Sequence, residues 1–281
     1  MDADERIAEL SAAALEREGP IVFLTGAGIS AESGVPTFRG AEGYWKVGSV
    51  NYQPEELATR AAFAQMPEEI WAWYLYRRGV CRAARPNAAH LALVAAEKVL
   101  ADRFLLVTQN VDGLHLRAGT SAARCYQIHG NIDFMRCEQE HPRLRDIPAS
   151  IRVDWPRAHK LSEGDRAALR CCEGAGSGGP GWARPHVLWF DESYDEELFR
   201  FESAMDAGAR AAMLVVVGTS GATSLPSHLV SLAARRGIPL VVVGPDDSPF
   251  TRIAHGAQNG IVLKGTAGEW VPHLVRALGA E

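Results

Sequence analysis

Apolar residues along the chain fall into two patterns, and the alternation of these patterns predicts an α/β fold. Continuous apolar runs of strand length occur at residues 21–25, 104–108, 186–190, 213–217, 240–244 and 261–264, as expected of parallel strands buried on both faces. Apolar residues at helical spacing predict helices at 5–18, 54–65, 67–83, 88–101, 195–207, 226–236, 250–255 and 268–278. Strands that alternate with helices indicate an open, Rossmann-like, doubly wound parallel sheet.

A glycine-rich turn ends the first apolar run. Gly26-Ala27-Gly28-Ile29-Ser30-Ala31 fits G-x-G-x-x-G/A, in which the first glycine makes the turn and the second lets backbone N–H groups reach a pyrophosphate. The short segment 33–36, Ser-Gly-Val-Pro, then ends the helix within two turns. The pattern predicts a dinucleotide site, although a Gly-Ala-Gly turn after a strand is also common in plain loops.

Hydrophobic density falls between residues 131 and 184, where charge, glycine and proline rise. We therefore expect a single catalytic domain over 1–281, with its core at 1–53, 84–130 and 185–281. Residues 54–83 form a helical insertion in this interpretation, and 131–184 form a smaller, loop-rich module.

Composition narrows the class of protein. The net charge of -5, with arginines scattered along the chain, argues against a nucleic-acid partner. The acidic, helical N-terminus has no apolar signal region, and no apolar run approaches the roughly 18 residues of a membrane span. Five cysteines without framework spacing indicate a reducing compartment. We expect a cytoplasmic monomer without membrane contact.

Polar residues follow four of the predicted strands, at 25–28, 108–112, 218–221 and 244–247. Any one of these could be an ordinary polar turn. Four together at the carboxyl edge of a parallel sheet indicate a ligand site, because that edge is where doubly wound folds bind their ligands.

Three motifs carry a resemblance to a known family: GAGISAESGVPTFRG at 26–40, TQNVDGLH at 108–115 and IHG at 128–130. In this order and spacing they resemble the sirtuins, and the resemblance extends from about Ile21 to the last helix. It implies NAD-dependent removal of an acyl group from lysine in acylated protein substrates. In that reaction the amide oxygen attacks C1′ of the nicotinamide ribose, nicotinamide leaves, and the acyl group ends on ADP-ribose.

The resemblance also assigns roles to residues. Asn110 and Asp112 would hold the nicotinamide carboxamide, Gln109 would lie nearer the ribose, and His129 would be the base, a task that suits imidazole near neutral pH. Phe38 would exclude water from the reacting carbon. The full set of expected NAD contacts is Gly26, Ala27, Gly28, Ser30, Ala31, Phe38, Arg39, Trp45, Gln109, Asn110, Asp112, Gly218, Thr219, Ser220, Gly244, Asp246 and Ala267. We interpret His115 as structural.

The zinc ribbon that sirtuins usually carry is degenerate here. Cys137 and Cys172 stand where each cysteine pair would begin, but Glu140 and Ser177 occupy the partner positions, and a structural zinc needs four ligands. We expect no metal, and we expect the module to pack around apolar anchors such as Trp155, Leu169 and Trp182. A makeshift set of Cys137, His141, Cys171 and Cys172 is the alternative.

Two further departures concern binding. The segment that pairs with substrate commonly reads Phe-Gly-Glu, whereas this chain has Phe190-Asp191-Glu192, so acidic peptides should be disfavoured. Asp246 stands where many relatives hold the adenosine ribose with Asn, and it could accept ribose hydroxyls.

Tyr74 and Arg77 lie three residues apart in WAWYLYRR, at 71–78. They match the Tyr-x-x-Arg pair of class III sirtuins, which implies succinyl-, malonyl- or glutaryl-lysine as substrate, since a guanidinium beside a phenol binds a carboxylate well. Some bacterial relatives with this pair also remove acetyl groups. The residues alone fit equally an amphipathic helix with an aromatic face and a basic edge.

Three functions remain open at this point. The first is an NAD-dependent lysine deacylase. The second is NAD hydrolysis or ADP-ribosyl transfer on the same scaffold, and the third is a non-catalytic module that senses NAD or ADP-ribose.

Overall fold

The structure is a computed structural model that describes residues 2–37, 54–137, 143–157, 159–171 and 181–280. Its strands are β1 Ile21–Thr25, β2 Phe104–Thr108, β3 Cys125–Gln127, β4 Gly130–Arg136, β5 Leu144–Asp146, β6 Arg184–Val187, β7 Met213–Val217, β8 Leu240–Val243 and β9 Gly260–Leu263. Its α-helices are α1 Ala3–Leu15, α2 Pro54–Leu57, α3 Arg60–Gln65, α4 Pro67–Ala83, α5 Ala88–Leu100, α6 Leu114–Ala118, α7 Glu163–Ala168, α8 Glu196–Phe199, α9 Phe201–Arg210, α10 Ser224–Arg236, α11 Pro249–Gly256 and α12 Ala267–Ala277.

Six strands form a parallel sheet in the order β3-β2-β1-β7-β8-β9. Both faces of the sheet are covered, and β1 shows how its sequence achieves this. Ile21 and Phe23 belong to the apolar layer that includes α1, α5 and α12, whereas Val22 and Leu24 belong to the layer that includes α9, α10 and α11. Because successive side chains of a strand point to opposite faces, a continuous apolar run is what a central strand needs. The doubly wound α/β prediction is confirmed.

The second sheet is small and antiparallel, in the order β5-β4-β6. It packs with α3 and α4 around a third apolar cluster. Of the expected anchors, Trp155 and Leu169 are buried there, and Trp182 packs partly buried against the cluster. The indole N–H of Trp71, on α4, donates to the carbonyl of Ala183 at 2.8 Å, so the helical insertion is joined to this sheet.

Several predicted boundaries were wrong for identifiable reasons. The helix expected at 54–65 is two helices, because the hydroxyl of Thr59 accepts from the N–H of Ala62 and begins α3. The helix expected at 195–207 is interrupted at Arg200, whose φ of 54° lies in the left-handed region. The strand expected at 186–190 is instead Arg184–Val187, since the Glu192 carboxylate accepts from the N–H of Trp189 at 2.9 Å and turns the chain. Strands β3, β4 and β5 and helix α7 carried no recognised signal.

Among the residues that the structure describes, none of the helices combines the length and the apolar character needed to span a bilayer.

Candidate active site

The glycine-rich turn lies at the point where the strand order reverses. β1 is flanked by β2 on one side and β7 on the other, and the crevice beyond such a reversal is where doubly wound sheets bind ligands. After β1 the chain forms a 3-10 helix, Ala27–Ser33. The N–H of Gly26 donates to the carbonyl of Val217 at 3.0 Å, and that of Gly28 donates to the carbonyl of Gly218 at 2.8 Å. The turn is thus bound to the loop that follows β7.

Close approach of these two loops explains the glycines. A Cβ on Gly26 would lie 2.7 Å from Cβ of Thr219, and one on Gly28 would lie 2.6 Å from Cα of Gly218. Gly218 itself has a φ of +61°, which favours glycine. The N–H of Gly28 is therefore used in packing the two loops together. A side chain at Gly26, Gly28 or Gly218 would therefore collide with the facing loop.

A buried polar cluster connects the turn to the end of β2. The hydroxyl of Ser30 donates to Oδ2 of Asp112 at 2.7 Å, and the side-chain amide of Asn110 donates to Oγ of Ser30 at 3.1 Å. Oδ1 of Asp112 accepts from the N–H of Leu114 at 2.8 Å. Burial raises the pKa of Asp112 above its ordinary value, opposed by these two hydrogen bonds. The cluster fixes an amide and a carboxyl side by side, a pair suited to a planar carboxamide.

His129 lies between two oxygen atoms. Its Nδ1 is 3.0 Å from the carbonyl oxygen of Gln109, and its Nε2 is 2.9 Å from the hydroxyl of Tyr194. A carbonyl oxygen can only accept, so Nδ1 carries the proton and Nε2 keeps a lone pair. Burial lowers the pKa of His129 to about 4, although the bond to Gln109 opposes the shift. The imidazole is therefore neutral at physiological pH and can act as a base.

The side chain of Gln109 extends the site toward β7. Its amide nitrogen donates to Oγ1 of Thr219 at 2.7 Å, and its oxygen accepts from the hydroxyl of Thr223 at 3.1 Å. The side chains of Gln109, Thr219 and Thr223 and the backbone of Gly26 and Gly28 thus bring hydrogen-bond donors and acceptors to the edge of the sheet between β2 and β7. The residues present fit a dinucleotide, and the expectation that Asn110 and Asp112 hold its nicotinamide end stays a prediction.

The sequence profile described as the Sir2 family matches residues 26–224. The chain belongs to the Sir2 family. It is 38% identical to the NAD-dependent protein deacylase of Leptospira interrogans, over 92% of each chain. Members of the Sir2 family are the sirtuins, so the resemblance read from the three motifs is confirmed.

Solved Sir2 structures share the fold. One, a Sir2 homologue in complex with NAD, has a TM-score of 0.75 and 33% identity and covers 99% of this chain and 94% of its own. Another, a Sir2 homologue mutant in complex with 2'-O-acetyl ADP ribose, has a TM-score of 0.75 and 34% identity, with coverage of 99% and 96%.

The structure brings together only some of the residues expected from the Sir2 resemblance. The residues that converge on the crevice are those described above: Gly26 to Ser30, Gln109 to Asp112, and Gly218 with Thr219. Ser220 is exposed after β7, next to Gly221, and Asp246 is exposed after β8, two residues beyond Gly244. Ala267 is buried at the start of α12, beside Gly268, whose N–H donates to Glu32 at 2.7 Å. Ala27 and Ala31 lie in the 3-10 helix. Phe38, Arg39 and Trp45 lie outside the described residues.

The two residues matched to the class III pair are neighbours in the structure. Tyr74 and Arg77 are both buried on α4, and the guanidinium carbon of Arg77 lies 4.6 Å from the ring centre of Trp73 and 5.4 Å from that of Tyr74. The hydroxyl of Tyr74 accepts from the indole N–H of Trp189 at 2.8 Å. Trp189 directly precedes the segment expected to pair with substrate, so the pair lies under that segment and is not an exposed basic edge.

Both carboxylates of the Phe190-Asp191-Glu192 segment are bound by the chain itself. Asp191 accepts from the N–H groups of Arg60 at 2.8 Å and Ala61 at 3.2 Å, which places it at the start of α3, where a negative charge is favoured. Glu192 accepts from the guanidinium of Arg184 at 2.9 Å. Phe190, by contrast, is 58% exposed. Asp191 thus has a structural partner that the sequence did not reveal.

The cysteines differ from the expectation of reduced thiols. Cys137 and Cys171 form a disulfide, whereas Cys81 and Cys125 are free and buried. Two sulfur atoms bonded to each other cannot both bind zinc as thiolates, and within the described parts of the chain three or more metal-binding side chains nowhere come together. Cys137, bonded to Cys171, is therefore not a free thiolate for zinc in this structure, and the absence of a metal stays a prediction. Glu140, His141, Cys172 and Ser177 lie outside the described residues.

Tyr194 and Thr223 are site residues that sequence reasoning missed. A strand pairing brings Tyr194 to the site. Gly130 of β4 pairs with Val187 of β6, and the N–H of Leu188 donates to the carbonyl of His129 at 3.0 Å. This pairing carries the segment after β6 past the histidine. His115, interpreted as structural, is buried with Nε2 3.0 Å from the hydroxyl of Thr25.

Proposed function

We propose that the protein is an NAD-dependent protein lysine deacylase that transfers the acyl group to ADP-ribose. The observation that carries the proposal is the pairing of a neutral imidazole, whose lone pair is on Nε2, and a buried amide-carboxyl cluster at the same edge of the sheet. Bound NAD would supply the electrophilic ribose carbon and nicotinamide as the leaving group. The side chains of this chain would orient NAD and the substrate and accept the proton.

Asn110 and Asp112 orient the carboxamide, and Ser30 holds the two at a fixed spacing through its hydroxyl. Gln109 is tied to Thr219 and Thr223 and lies where it can bind the ribose. His129 receives the proton of a ribose hydroxyl at Nε2, which strengthens that hydroxyl as a nucleophile toward the acyl carbon. The name of the Leptospira relative, and the complexes of Sir2 homologues with NAD and with 2'-O-acetyl ADP ribose, support this chemistry.

The acyl group, we further propose, ends in a carboxylate. Arg77 and Tyr74 present a guanidinium and a phenol beneath Trp189, and the apolar walls around them would strengthen a charge-assisted hydrogen bond. Burial raises the pKa of Tyr74 above its ordinary value, so the phenol keeps its proton and can donate it. Succinyl-, malonyl- and glutaryl-lysine fit this pocket chemically, whereas an acetyl group offers the guanidinium no carboxylate.

One experiment tests the reaction class. Release of nicotinamide from NAD is measured with and without an acyl-lysine peptide, together with the loss of the acyl group from the peptide. A deacylase releases nicotinamide only with the peptide and in step with deacylation. Release without the peptide would identify an NAD hydrolase, transfer of ADP-ribose to protein would identify a transferase, and NAD binding without release would identify a sensing module.

A further inference from the structure

The lone pair of the histidine base is already occupied. With the proton on Nδ1, His129 has one lone pair, on Nε2, which lies in the ring plane and points to one partner only. That partner is the hydroxyl of Tyr194 at 2.9 Å, which must donate to it. Burial raises the pKa of Tyr194 to about 12, so the phenol has a proton to donate at physiological pH. No substrate hydroxyl can reach Nε2 along the same direction while Tyr194 stays in place.

Contacts on three sides keep Tyr194 in place. Its ring stacks on His129, with ring centres 5.8 Å apart and planes 27° apart, and on Phe201, at 5.8 Å and 22°. The hydroxyl of Thr223 also lies beside that of Tyr194. Thr223 in turn donates to the side chain of Gln109, the residue placed at the ribose. Tyr194 is only partly buried, and its oxygen, while it donates to His129, keeps lone pairs that can accept a proton from a ligand hydroxyl.

We propose that Tyr194 is a catalytic proton relay between the substrate hydroxyl and His129. In the transfer step Tyr194 Oη accepts the proton of the ribose hydroxyl while its own proton passes to Nε2. One O–H bond breaks on the ribose and one forms on the phenol, and the O–H bond of the phenol breaks as N–H forms on the imidazole. The phenol ends neutral, His129 ends protonated, and the ribose oxygen attacks the acyl carbon. This inference rests on the proposed deacylase function.

The test separates two steps of the reaction in Tyr194→Phe, which keeps the stacked ring and removes only the hydroxyl. Attack of the amide oxygen on C1′ and departure of nicotinamide move no proton, so exchange of labelled nicotinamide into NAD should stay within about twofold of wild type. Acyl transfer does need the relay, and its single-turnover rate should fall by about 10²-fold or more, the usual scale for loss of acid-base catalysis. Tyr126→Phe, which removes a phenol hydroxyl from β3 away from this crevice, is the matched control and should change neither rate.

A second readout needs neither NAD nor activity. In the protein without ligands, ¹⁵N NMR of labelled histidines, assigned with a His129→Gln variant, should show Nε2 of His129 unprotonated and hydrogen-bonded. In Tyr194→Phe this signal should move to the position of an unbonded nitrogen, whereas Nδ1 should keep its proton and its bond to Gln109.

Three outcomes would overturn the relay. An unchanged or faster acyl transfer in Tyr194→Phe would mean that substrate displaces the phenol and reaches Nε2 directly. An equal loss of exchange and transfer would make Tyr194 a structural support. An Nε2 signal that does not move would remove the hydrogen bond itself. If wild-type protein shows neither exchange nor deacylation, the proposed function fails instead, and the NMR result still decides the contact.

Discussion

Replacement of Arg77 by methionine should abolish the preference of the enzyme for acyl groups that end in a carboxylate over acetyl. Methionine keeps most of the apolar stem of the side chain and removes the guanidinium. Arg77 is only 5% exposed, so its contact with a carboxylate would form largely out of water and be worth about 1.5–3 kcal/mol. An exposed ion pair would contribute at most about 1 kcal/mol. The loss corresponds to roughly a 10- to 150-fold fall in kcat/KM for succinyl-lysine.

The assay compares matched succinyl and acetyl peptides of the same sequence on wild type and Arg77→Met, with nicotinamide release as the common readout. Acetyl activity should change little or rise, because the acetyl group makes no contact with the guanidinium. Arg82→Met is the matched control on the same helix: Arg82 is 39% exposed and pairs with Asp133 at 2.7 Å, and Asp133 keeps its second partner, Arg78, at 3.0 Å. The control should leave the ratio of the two activities unchanged.

Equal losses for both peptides in Arg77→Met would refute the reasoning, since they would show that the buried guanidinium supports the fold through its contacts with Trp73 and Tyr74. Thermal unfolding of the variant separates this outcome from a specific effect. Tyr74→Phe should lower succinyl activity in the same direction but less, because it deletes one neutral hydroxyl. It also removes the acceptor of the Trp189 indole N–H, so part of its effect should appear as lost stability.

The remaining predictions concern the base, the metal, the helix start and pH. His129→Ala should lower acyl transfer by about 10²- to 10⁴-fold and leave NAD binding within a few fold, measured by titration; more than a tenth of wild-type turnover would remove His129 from the mechanism. Purified protein should contain well under one zinc per chain by elemental analysis and keep its activity in a chelator. Asp191→Ala should lower the free energy of unfolding by about 0.5–2 kcal/mol, as loss of a helix cap does, and denaturant titration measures this. The pKa values of His129 and His186 are lowered by burial to about 4 and about 3, from 6.5. The unfolded chain therefore binds protons that the folded chain does not. The stability that these groups contribute should be complete above about pH 6.5 and decline as the pH falls toward 4, by up to about 1.4 kcal/mol per pH unit and histidine; a Tm that is flat over this range would contradict the burial of both rings.

The central sheet was predictable because its strands carry their own signal. β1, β2 and β7 were predicted to the residue, since a strand buried on both faces has to be continuously apolar and its neighbours along the chain are not. β4, with Asn131, Asp133 and Arg136, has no such run. Its buried Asp133 is satisfied by partners far away in sequence, Arg78 and Arg82 on α4. A strand whose polar residues pair across the fold cannot be recognised from its own residues.

The same distinction applies to the site. Gly26, Gly28 and Asp112 could be placed from the sequence because the requirement is local, a tight turn or a polar strand end. Tyr194 could not, because its role depends on the pairing of β4 with β6, which the sequence did not predict. Asp191 was interpreted as a charge facing the substrate, since the start of α3 at Thr59 was not visible in the helical pattern. In both cases the missing information was the partner and not the residue type.

The segment 188–194 joins the parts of the site that the sequence suggested separately. The N–H of Leu188 donates to the carbonyl of His129, and that of Phe190 donates to the carbonyl of Ala58, in the helical insertion, at 3.0 Å. The indole of Trp189 donates to Tyr74, and the hydroxyl of Tyr194 donates to His129. Within seven residues the chain therefore contacts the proposed acyl pocket, the helical insertion and His129. A shift of this segment on binding of substrate would move the pocket contact and the base contact together. Because both contacts are hydrogen bonds near 2.9 Å, for which small displacements matter, we expect the same stretch of backbone to set both the position of a bound acyl-lysine strand and the alignment of the base.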